Sequence, residues 1–350
     1  MHMQNELLSV PAAGATLTIA AGALAFITRR AKKVINADKL ALMGILGAFV
    51  FAAQMVNFRL PAMPGTSGHL IGSVLLAVVL GPTLGAIVIT SVIIIQCLIF
   101  QDGGLLALGC NIINMGLIPC YVGYYIFKTV KGQSWQSVRT YIAVITACIV
   151  SLEIGASLVP VQAALSGVLL VPMSTFLITM LGVHAIVGII EGVVTAGVLG
   201  YLLRIRPDIV SDKLEGKYVL SKRAVIASLL IVTVITSMGF SLLASGMPDG
   251  LEWSYAERPD QSEFEPIIAN KNSTIAQVDT FHERYSIMPD YTKRSSELGK
   301  TLSDETEAAA SWTSLAGMAG AFITMAFVWV LAQIIRKRSA SKPNPDITAA

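Results

Sequence analysis

His69-Leu70-Ile71-Gly72-Ser73-Val74-Leu75-Leu76-Ala77-Val78-Val79-Leu80 is the stretch on which the topology of this chain turns. It is apolar but shorter than the ~20 residues a membrane-spanning helix needs, and it is bounded by Gly68 and by Gly81-Pro82. Around it lie eight apolar stretches of spanning length, at about 11–28, 39–58, 83–100, 105–127, 140–160, 174–203, 224–245 and 313–335. The 350 residues are 54% hydrophobic and 13% charged, against roughly 25% charge in a soluble domain. The chain therefore belongs to the membrane class. Counted as a ninth, short or broken helix, 69–80 completes an all-α polytopic protein with its N-terminus outside and its C-terminus inside. Interrupted helices of this kind line sites rather than lipid.

Charge supports that count. With nine crossings the inside segments hold Arg29, Arg30, Lys32, Lys33 and Lys39, then Lys128, Lys131 and Arg139. Arg204, Arg206, Lys213, Lys217, Lys222 and Arg223 follow, and the tail adds Arg336, Lys337, Arg338 and Lys342, making 18 of 25 basic residues. Arg59 alone falls in a short outside loop; the other six lie in 246–312, a segment long enough to escape the positive-inside rule. Without the 69–80 crossing the basic loops would lie outside. The expected organisation is a seven-helix unit over 1–205, an inner linker over 206–223, and a two-helix unit over 224–350. The outer loop of that second unit, 246–312, carries 13 of the 22 acidic residues.

The formal net charge of +3 is too small to suggest a nucleic-acid partner. No basic region precedes the first apolar stretch, and Arg29-Arg30-Ala31-Lys32-Lys33 follows it, the reverse of a cleaved secretory signal. The first helix and the residues before it are expected to stay. Cys97, Cys110, Cys120 and Cys148 sit in apolar spans with no CxxC pair and read as buried thiols.

Two histidines share the expected outer side. The α-amine of Met1, the backbone nitrogen of His2 and the His2 imidazole can close a five- and a six-membered ring around one metal ion, and His69, in Gly65-Thr66-Ser67-Gly68-His69, can supply a fourth nitrogen. Four nitrogens in a plane suit Ni(II) or Cu(II); looser nitrogen sites also take Co(II) or Zn(II). Singly, each histidine has a plainer reading, His2 as an incidental neighbour of the start methionine and His69 as an interfacial residue at a helix mouth. Their placement on one face of a chain with four histidines favours metal. The donors must lose protons, so binding should weaken as pH falls.

Gln54 and Asn57, like Asn111 and Asn114, are i,i+3 pairs on one helix face. With Ser67 and His184 they are candidates for orienting a ligating imidazole; interhelical hydrogen bonds are the competing role. His184 and Glu191 share a face of the seventh helix, and Glu153 lies in the sixth. Ionisable groups in spans face the bundle interior, as a structural cluster or as a proton or permeation path. Gly44, Ala48 and Ala52, and Gly188, Gly192, Ala196 and Gly200, form small-residue stripes for close packing. Asp102-Gly103-Gly104 reads as a turn without chemistry, and Asn272-Ser273-Thr274 is a glycosylation triplet of the kind that chance supplies. Gly299-Lys300-Thr301 lacks the leading glycine of a P-loop, since position 294 is Arg, so no ATP site is visible.

Several runs carry a resemblance. Met1-His2, Ala48-Phe49-Val50-Phe51-Ala52-Ala53-Gln54-Met55 with Asn57-Phe58, Gly65 to Leu70, Asp102 to Gly109, Asn111, Asn114-Met115-Gly116, Gly182-Val183-His184 and Glu191-Gly192 resemble the CbiM/NikM family. These are the substrate-binding membrane subunits of energy-coupling-factor transporters for cobalt or nickel. The likeness covers about residues 1–205. Pro248-Asp249-Gly250-Leu251-Glu252-Trp253 resembles the PDGLE segment of the small N component of the same transporters.

The resemblance implies metal binding by Met1, His2 and His69, a separate transmembrane coupling subunit, cytoplasmic ATPases, and a multi-pass location in a prokaryotic cytoplasmic membrane. It also implies that nickel or cobalt is the cargo rather than a resident cofactor. The expected function is substrate capture for an ATP-driven importer, with nickel preferred over cobalt. A proton-coupled secondary metal transporter and an intramembrane enzyme built on His184, Glu153 and Glu191 are the alternatives. Relatives begin with a sequence like MHIPDG, whereas this chain reads Met1-His2-Met3-Gln4-Asn5-Glu6. The chelating pair is kept, the Pro-Asp-Gly turn is absent, and the path of residues 3–9 is left open.

Overall fold

The computed structural model describes residues 1–133, 135, 137–211, 214, 218–269, 272–292 and 302–340, with side chains of the last segment over 312–337. Eight helices among them are long and apolar enough to cross a membrane. In chain order the helices are α1 (Val10–Val34), α2 (Ala37–Gln54), the short α3 (Ser73–Leu80) and α4 (Pro82–Phe100). Next come α5 (Leu108–Lys131), α6 (Val138–Leu165) and α7 (Met173–Ile205). Then follow α8 (Lys222–Met238), the small α9 (Gly250–Tyr255), α10 (Ser273–Tyr285) and α11 (Leu302–Ala340). A two-residue hairpin pairs β1 (Phe58–Arg59) with β2 (Ser67–Gly68).

The expected ninth crossing is not a spanning helix. Residues 69–72 are non-helical and α3 has only eight residues. Four non-helical residues, Gly72 among them at φ 77°, and eight helical ones cover at most about 25 Å, and α3 is the part that accompanies α4. Gly81, at φ 85°, turns the chain so that α3 packs back on α4. Backbone polar groups inside a bilayer must find partners within the protein, and here they do. Glu191 accepts from the Ile71 N–H at 2.8 Å and the Gly72 N–H at 3.0 Å, while Gln54 Nε2 donates to the Ile71 carbonyl at 2.7 Å. Glu191 serves as an acceptor for the interrupted helix.

The small-residue stripes are packing surfaces inside the bundle. A Cβ at Gly188 or Gly192 would meet the α6 backbone at Ile149 Cα (3.0 Å) or Ile145 Cα (2.8 Å), so the main chains of α6 and α7 approach each other directly. Gly44 does the same for α2 against the Met325 carbonyl of α11. Within α5, Ile112–Leu117 and Pro119–Gly123 widen into π turns, a geometry common near functional sites. All four cysteines are free and buried.

The two ends of the bundle differ in charge. Lys222 Nζ meets Asp38 Oδ2 at 2.6 Å, which sets the start of α8 beside the start of α2. The same end receives the close of α1, α5, α7 and α11, so Arg29, Arg30, Lys32, Lys33, Lys128, Lys131, Arg204, Arg336 and Lys337 gather there. The opposite end holds Met1 and His69, and the segment following α8 folds over it. Leu170 N–H donates to the Ile267 carbonyl (2.8 Å), Ala269 N–H to the Val168 carbonyl (2.9 Å), and the Ile287 and Met288 N–H groups to the Ile99 carbonyl (3.0 Å each). Asn272 caps α10 by accepting from Thr274 N–H, which gives that triplet a structural role. Gly299-Lys300-Thr301 lies outside the described residues.

Candidate metal site

The N-terminal segment is an inward-folded plug. Met1, His2, Met3, Asn5, Leu7 and Leu8 are all buried. Asn111 grips Met3 by both sides of its backbone: Oδ1 accepts from the Met3 N–H at 2.7 Å and Nδ2 donates to the Met3 carbonyl at 3.2 Å. Gly104 N–H donates to the same carbonyl at 2.8 Å. Asn5 Oδ1 accepts from the Leu106 and Ala107 N–H groups. These bonds supply the path that the missing turn left open. Gly103, at φ 88°, lies where a Cβ would sit 2.8 Å from Asn111 Nδ2 and 3.2 Å from His2 Cβ.

The nitrogens converge. The Met1 amine donates to His69 Nε2 at 2.8 Å and to Asp249 Oδ2 at 2.7 Å. The His2 and His69 rings stack, 5.3 Å apart at 15°. His69 Nδ1–H donates to the Leu70 carbonyl at 3.1 Å, leaving Nε2 with the lone pair that faces the amine. Burial, and then the neighbouring amine, lowers the His69 pKa, which keeps the ring neutral. Both nitrogens of His2 face acceptors: Nδ1 meets Asp102 Oδ1 at 2.9 Å and Nε2 meets Gln96 Oε1 at 3.3 Å.

Two carboxylates escort these nitrogens. Burial pushes the Asp249 carboxyl up, but the Met1 amine and His69 outweigh it and hold it well below the usual range. Burial acts the same way on Asp102, and His2 with Tyr291 brings it down to about 2. Tyr291 donates to Asp102 Oδ2 at 2.5 Å. Asp102-Gly103-Gly104 does connect α4 to α5, but the reading that it has no chemistry is corrected: Asp102 pairs with His2 because α4 ends beside the plug. Asp249 was quoted with its motif but given no role, and Gln96 and Tyr291 were missed. A lone carboxylate directly after an apolar span was the available signal for Asp102; Gln96 and Tyr291 had none.

Asp249 works through both oxygens. Oδ1 accepts from the Leu251 and Glu252 N–H groups at the start of α9, while Oδ2 takes the amine. Glu252 accepts in return from the Asp249 backbone N–H, so Asp249-Gly250-Leu251-Glu252 is a capping box. Ser67 N–H donates to the Pro248 carbonyl at 2.9 Å and Ser67 Oγ to the Met247 carbonyl at 2.8 Å. The Gly65–His69 loop and the Pro248–Glu252 turn therefore dock directly on each other.

The remaining candidates divide. His184 Nδ1–H donates to the Met180 carbonyl at 2.7 Å, and its ring borders, with Met1 and His69, a cavity of about 10 Å³. Asn114 exchanges two hydrogen bonds with Gln162 (2.8 and 3.0 Å) and approaches Met3 Sδ at 3.5 Å. Gln54 supports Ile71, as described. Asn57 lines a second cavity of about 490 Å³ that opens beside His2 and His69, and its carbonyl accepts from Ser245 N–H. Only Met1, His2 and His69 bring nitrogens together. Among the described residues no cluster of three or more His, Cys, Asp or Glu side chains could hold a metal ion, so any nitrogen site depends on the chain terminus and main chain. Glu153 Oε1 has no hydrogen-bond partner among the described residues.

The family model described as the cobalt uptake substrate-specific transmembrane region, CbiM, matches residues 2–209. The chain belongs to that family. A second model, the PDGLE domain, matches residues 223–337. A relative from Archaeoglobus fulgidus named as a fused nickel transport protein NikMN is 34% identical over 255 residues, 71% of this chain and 80% of the relative. One from Lactiplantibacillus plantarum named as a fused nickel transport protein LarMN is 30% identical over 269 residues, 73% of this chain and 79% of the relative. A crystal structure of a transition metal transporter superposes with a TM-score of 0.51 at 27% identity, covering 58% of this chain and 93% of that one. This CbiM-family chain is a multi-pass membrane protein of a prokaryotic transport family, not an enzyme.

Proposed function

We propose that this chain is the substrate-capture component of an ATP-driven importer for a divalent transition metal, with nickel preferred over cobalt. Residues 1–205 form the metal-binding unit and 224–350 an accessory unit joined through the linker 206–223. The donors are the Met1 amine, the His2 backbone nitrogen, His2 Nδ1 and His69 Nε2. One observation carries the reading. The Met1 amine and His69 Nε2 are 2.8 Å apart. Metal–nitrogen bonds of about 2.0 Å separate neighbouring donors by about 2.8 Å in a square plane and about 3.3 Å in a tetrahedron. The amine and His69 Nε2, held together by a hydrogen bond, thus already lie as close as two donors on one ion, and a plane of nitrogens suits Ni(II).

Loading asks the two carboxylates to let go. His2 Nδ1 exchanges Asp102 for the ion, and the remaining ring proton, on Nε2, has Gln96 Oε1 as its acceptor. His69 already presents Nε2 as a lone pair. Energy comes from elsewhere: a transmembrane coupling subunit and cytoplasmic ATPases would toggle the loaded component and release the ion inside. The cluster of basic residues at the end remote from Met1 supports a site that faces outward, with the C-terminus inside.

His2→Ala and His69→Ala should each abolish high-affinity nickel binding in isothermal titration of the purified full chain. One residue added before Met1 should do the same by displacing the amine. Near-normal affinity in any of the three would refute the four-nitrogen site. Metal-uptake assays with and without the ATPases separate this reading from a proton-coupled carrier: uptake should cease without them.

A further inference from the structure

Asp249 comes from the PDGLE domain, yet one of its oxygens reaches the nitrogens contributed by the first unit. Oδ2 lies 2.7 Å from the Met1 amine and 3.6 Å from His69 Nε2, and the amine lies 2.8 Å from the same ring nitrogen. Hydrogen bonds account for the two shorter spacings. The longer one sets two lone pairs side by side, on the carboxylate oxygen and on a ring nitrogen whose proton sits on Nδ1. Two acceptors this close repel unless they share a cation, and here that cation is the ammonium.

Loading takes the ammonium away. A coordinated amine is neutral, and the ion also displaces the backbone proton of His2, so both protons leave to solvent. A divalent ion less one amide proton leaves a single positive charge, the same amount the ammonium carried. A carboxylate stripped of a buried partner is costly, and the ion is the replacement within reach. One point lies about 2 Å from Oδ2, the amine and Nε2 together, the bond length of carboxylate and imidazole donors.

The oxygen is also pre-set. Oδ1 accepts from the Leu251 and Glu252 N–H groups, which fixes the rotation of the carboxylate and offers Oδ2 alone. The Asp249 backbone pairs with Ser67, two residues before His69, and Gly250 packs tightly on Val183 of α7. His2, His69 and Asp249 all line the cavity of about 490 Å³, so an ion meets the oxygen and the nitrogens from one side.

We propose that Asp249 Oδ2 is a fifth donor to the captured ion, an oxygen on the axis of the nitrogen plane. The proposal rests on the four-nitrogen reading and adds a bond to it. The metal–oxygen bond forms as a water leaves the ion, and Oδ2 passes from the amine to the metal without taking a proton. Oδ2 sits close to two neighbouring corners of the plane, the amine and Nε2, as an axial ligand does. A plane of nitrogens with an axial oxygen is a tetragonal site, which Ni(II) accepts. Co(II), less suited to a strict plane, gains more from the fifth bond, so Asp249 tunes the discrimination between the two ions.

The test is spectroscopic. The purified full chain is loaded with nickel chloride, and the nickel K-edge is recorded by X-ray absorption. Planar four-coordinate Ni(II) gives a resolved pre-edge shoulder that fades when an axial ligand binds. The wild-type protein should show five light donors and a faded shoulder. Asp249→Ser keeps an oxygen for the cap but has no second one for the ion, and should show four donors and a resolved shoulder. Isothermal titration gives the second readout. Co(II) affinity should fall about tenfold or more in Asp249→Ser, the lower figure for residues that merely orient a ligand, and Ni(II) affinity by less. A residue that only steadied the amine would cost both ions equally and leave the edge unchanged. A resolved shoulder in the wild type, identical edges in the two proteins, or equal losses for both ions overturn the fifth donor. Should Asp249→Ser bind no nickel, the wild-type edge decides alone. His2→Ala keeps the two ideas apart. Near-normal nickel affinity there removes the capture site itself, whereas lost binding there with a planar wild-type edge removes the axial oxygen alone.

Discussion

Asn111 holds Met3 by its N–H and its carbonyl, and so does the work of a turn the sequence lacks. Two buried hydrogen bonds of about 1 kcal/mol each add to the Gly104 N–H bond on the same carbonyl in positioning the terminus. Asn111→Ala should therefore lower nickel affinity about tenfold or more in isothermal titration, with the helical content of the protein unchanged. Asn111→Asp keeps the acceptor and loses the donor, and should fall between. Asp102 makes a prediction in pH. Its folded pKa, about 2, lies below the ordinary 3.8, so the stabilisation it provides is fully present above about pH 4 and is lost as pH falls towards 2. Protection of the Tyr291 turn from proteolysis by an acid-active protease should fade across that window, and Asp102→Asn should weaken it at every pH.

The elements show where sequence reading succeeds and where it stops. Run length and composition are local properties, and they located every helix of spanning length among the described residues, with ends displaced by six residues in α1, seven in α8 and eleven in α11. The length of 69–80 marked a short or broken helix, but nothing local placed the break at 69–72. Its non-helical backbone persists because Glu191, 120 residues away, accepts from two of its N–H groups. A periodicity argument sees an apolar run and cannot see that partner. The nitrogens of the site were legible because chelation by Met1 and His2 is a property of adjacent residues; Asp249 was not, because its contact with Met1 crosses 248 positions. Glu191→Ala removes the acceptor for Ile71 and Gly72 inside the bilayer. It should lower the melting temperature in detergent and loosen His69, with nickel affinity falling alongside. Glu191→Gln, which keeps one acceptor oxygen, should be milder in both measurements.

At the scale of the molecule, the bundle has a basic end and an end that is plugged, capped and rich in acceptors. Charge asymmetry of this kind sets orientation in a membrane, and it can be checked directly. Because the four native cysteines are buried, single cysteines can be placed in a cysteine-free background. Arg59→Cys should react with a membrane-impermeant maleimide in intact cells, and Arg204→Cys only after lysis; the reverse pattern would invert the orientation. The two family motifs meet at the plugged end, where the Ser67 N–H and hydroxyl bind the carbonyls of Pro248 and Met247. Coverage of the site is therefore a property of the whole chain rather than of its first seven helices.

The bond between the Met1 amine and Asp249 also has a history in time. The first residue of the chain leaves the ribosome 248 residues before the carboxylate that will hold it. His69 precedes Asp249 by 180 residues, so at about 5–20 residues per second the amine, His2 and His69 are all synthesised about 9–36 s before the carboxylate that covers them. Biosynthesis thus passes through an open-mouthed form of the protein that the finished chain closes with its own later sequence.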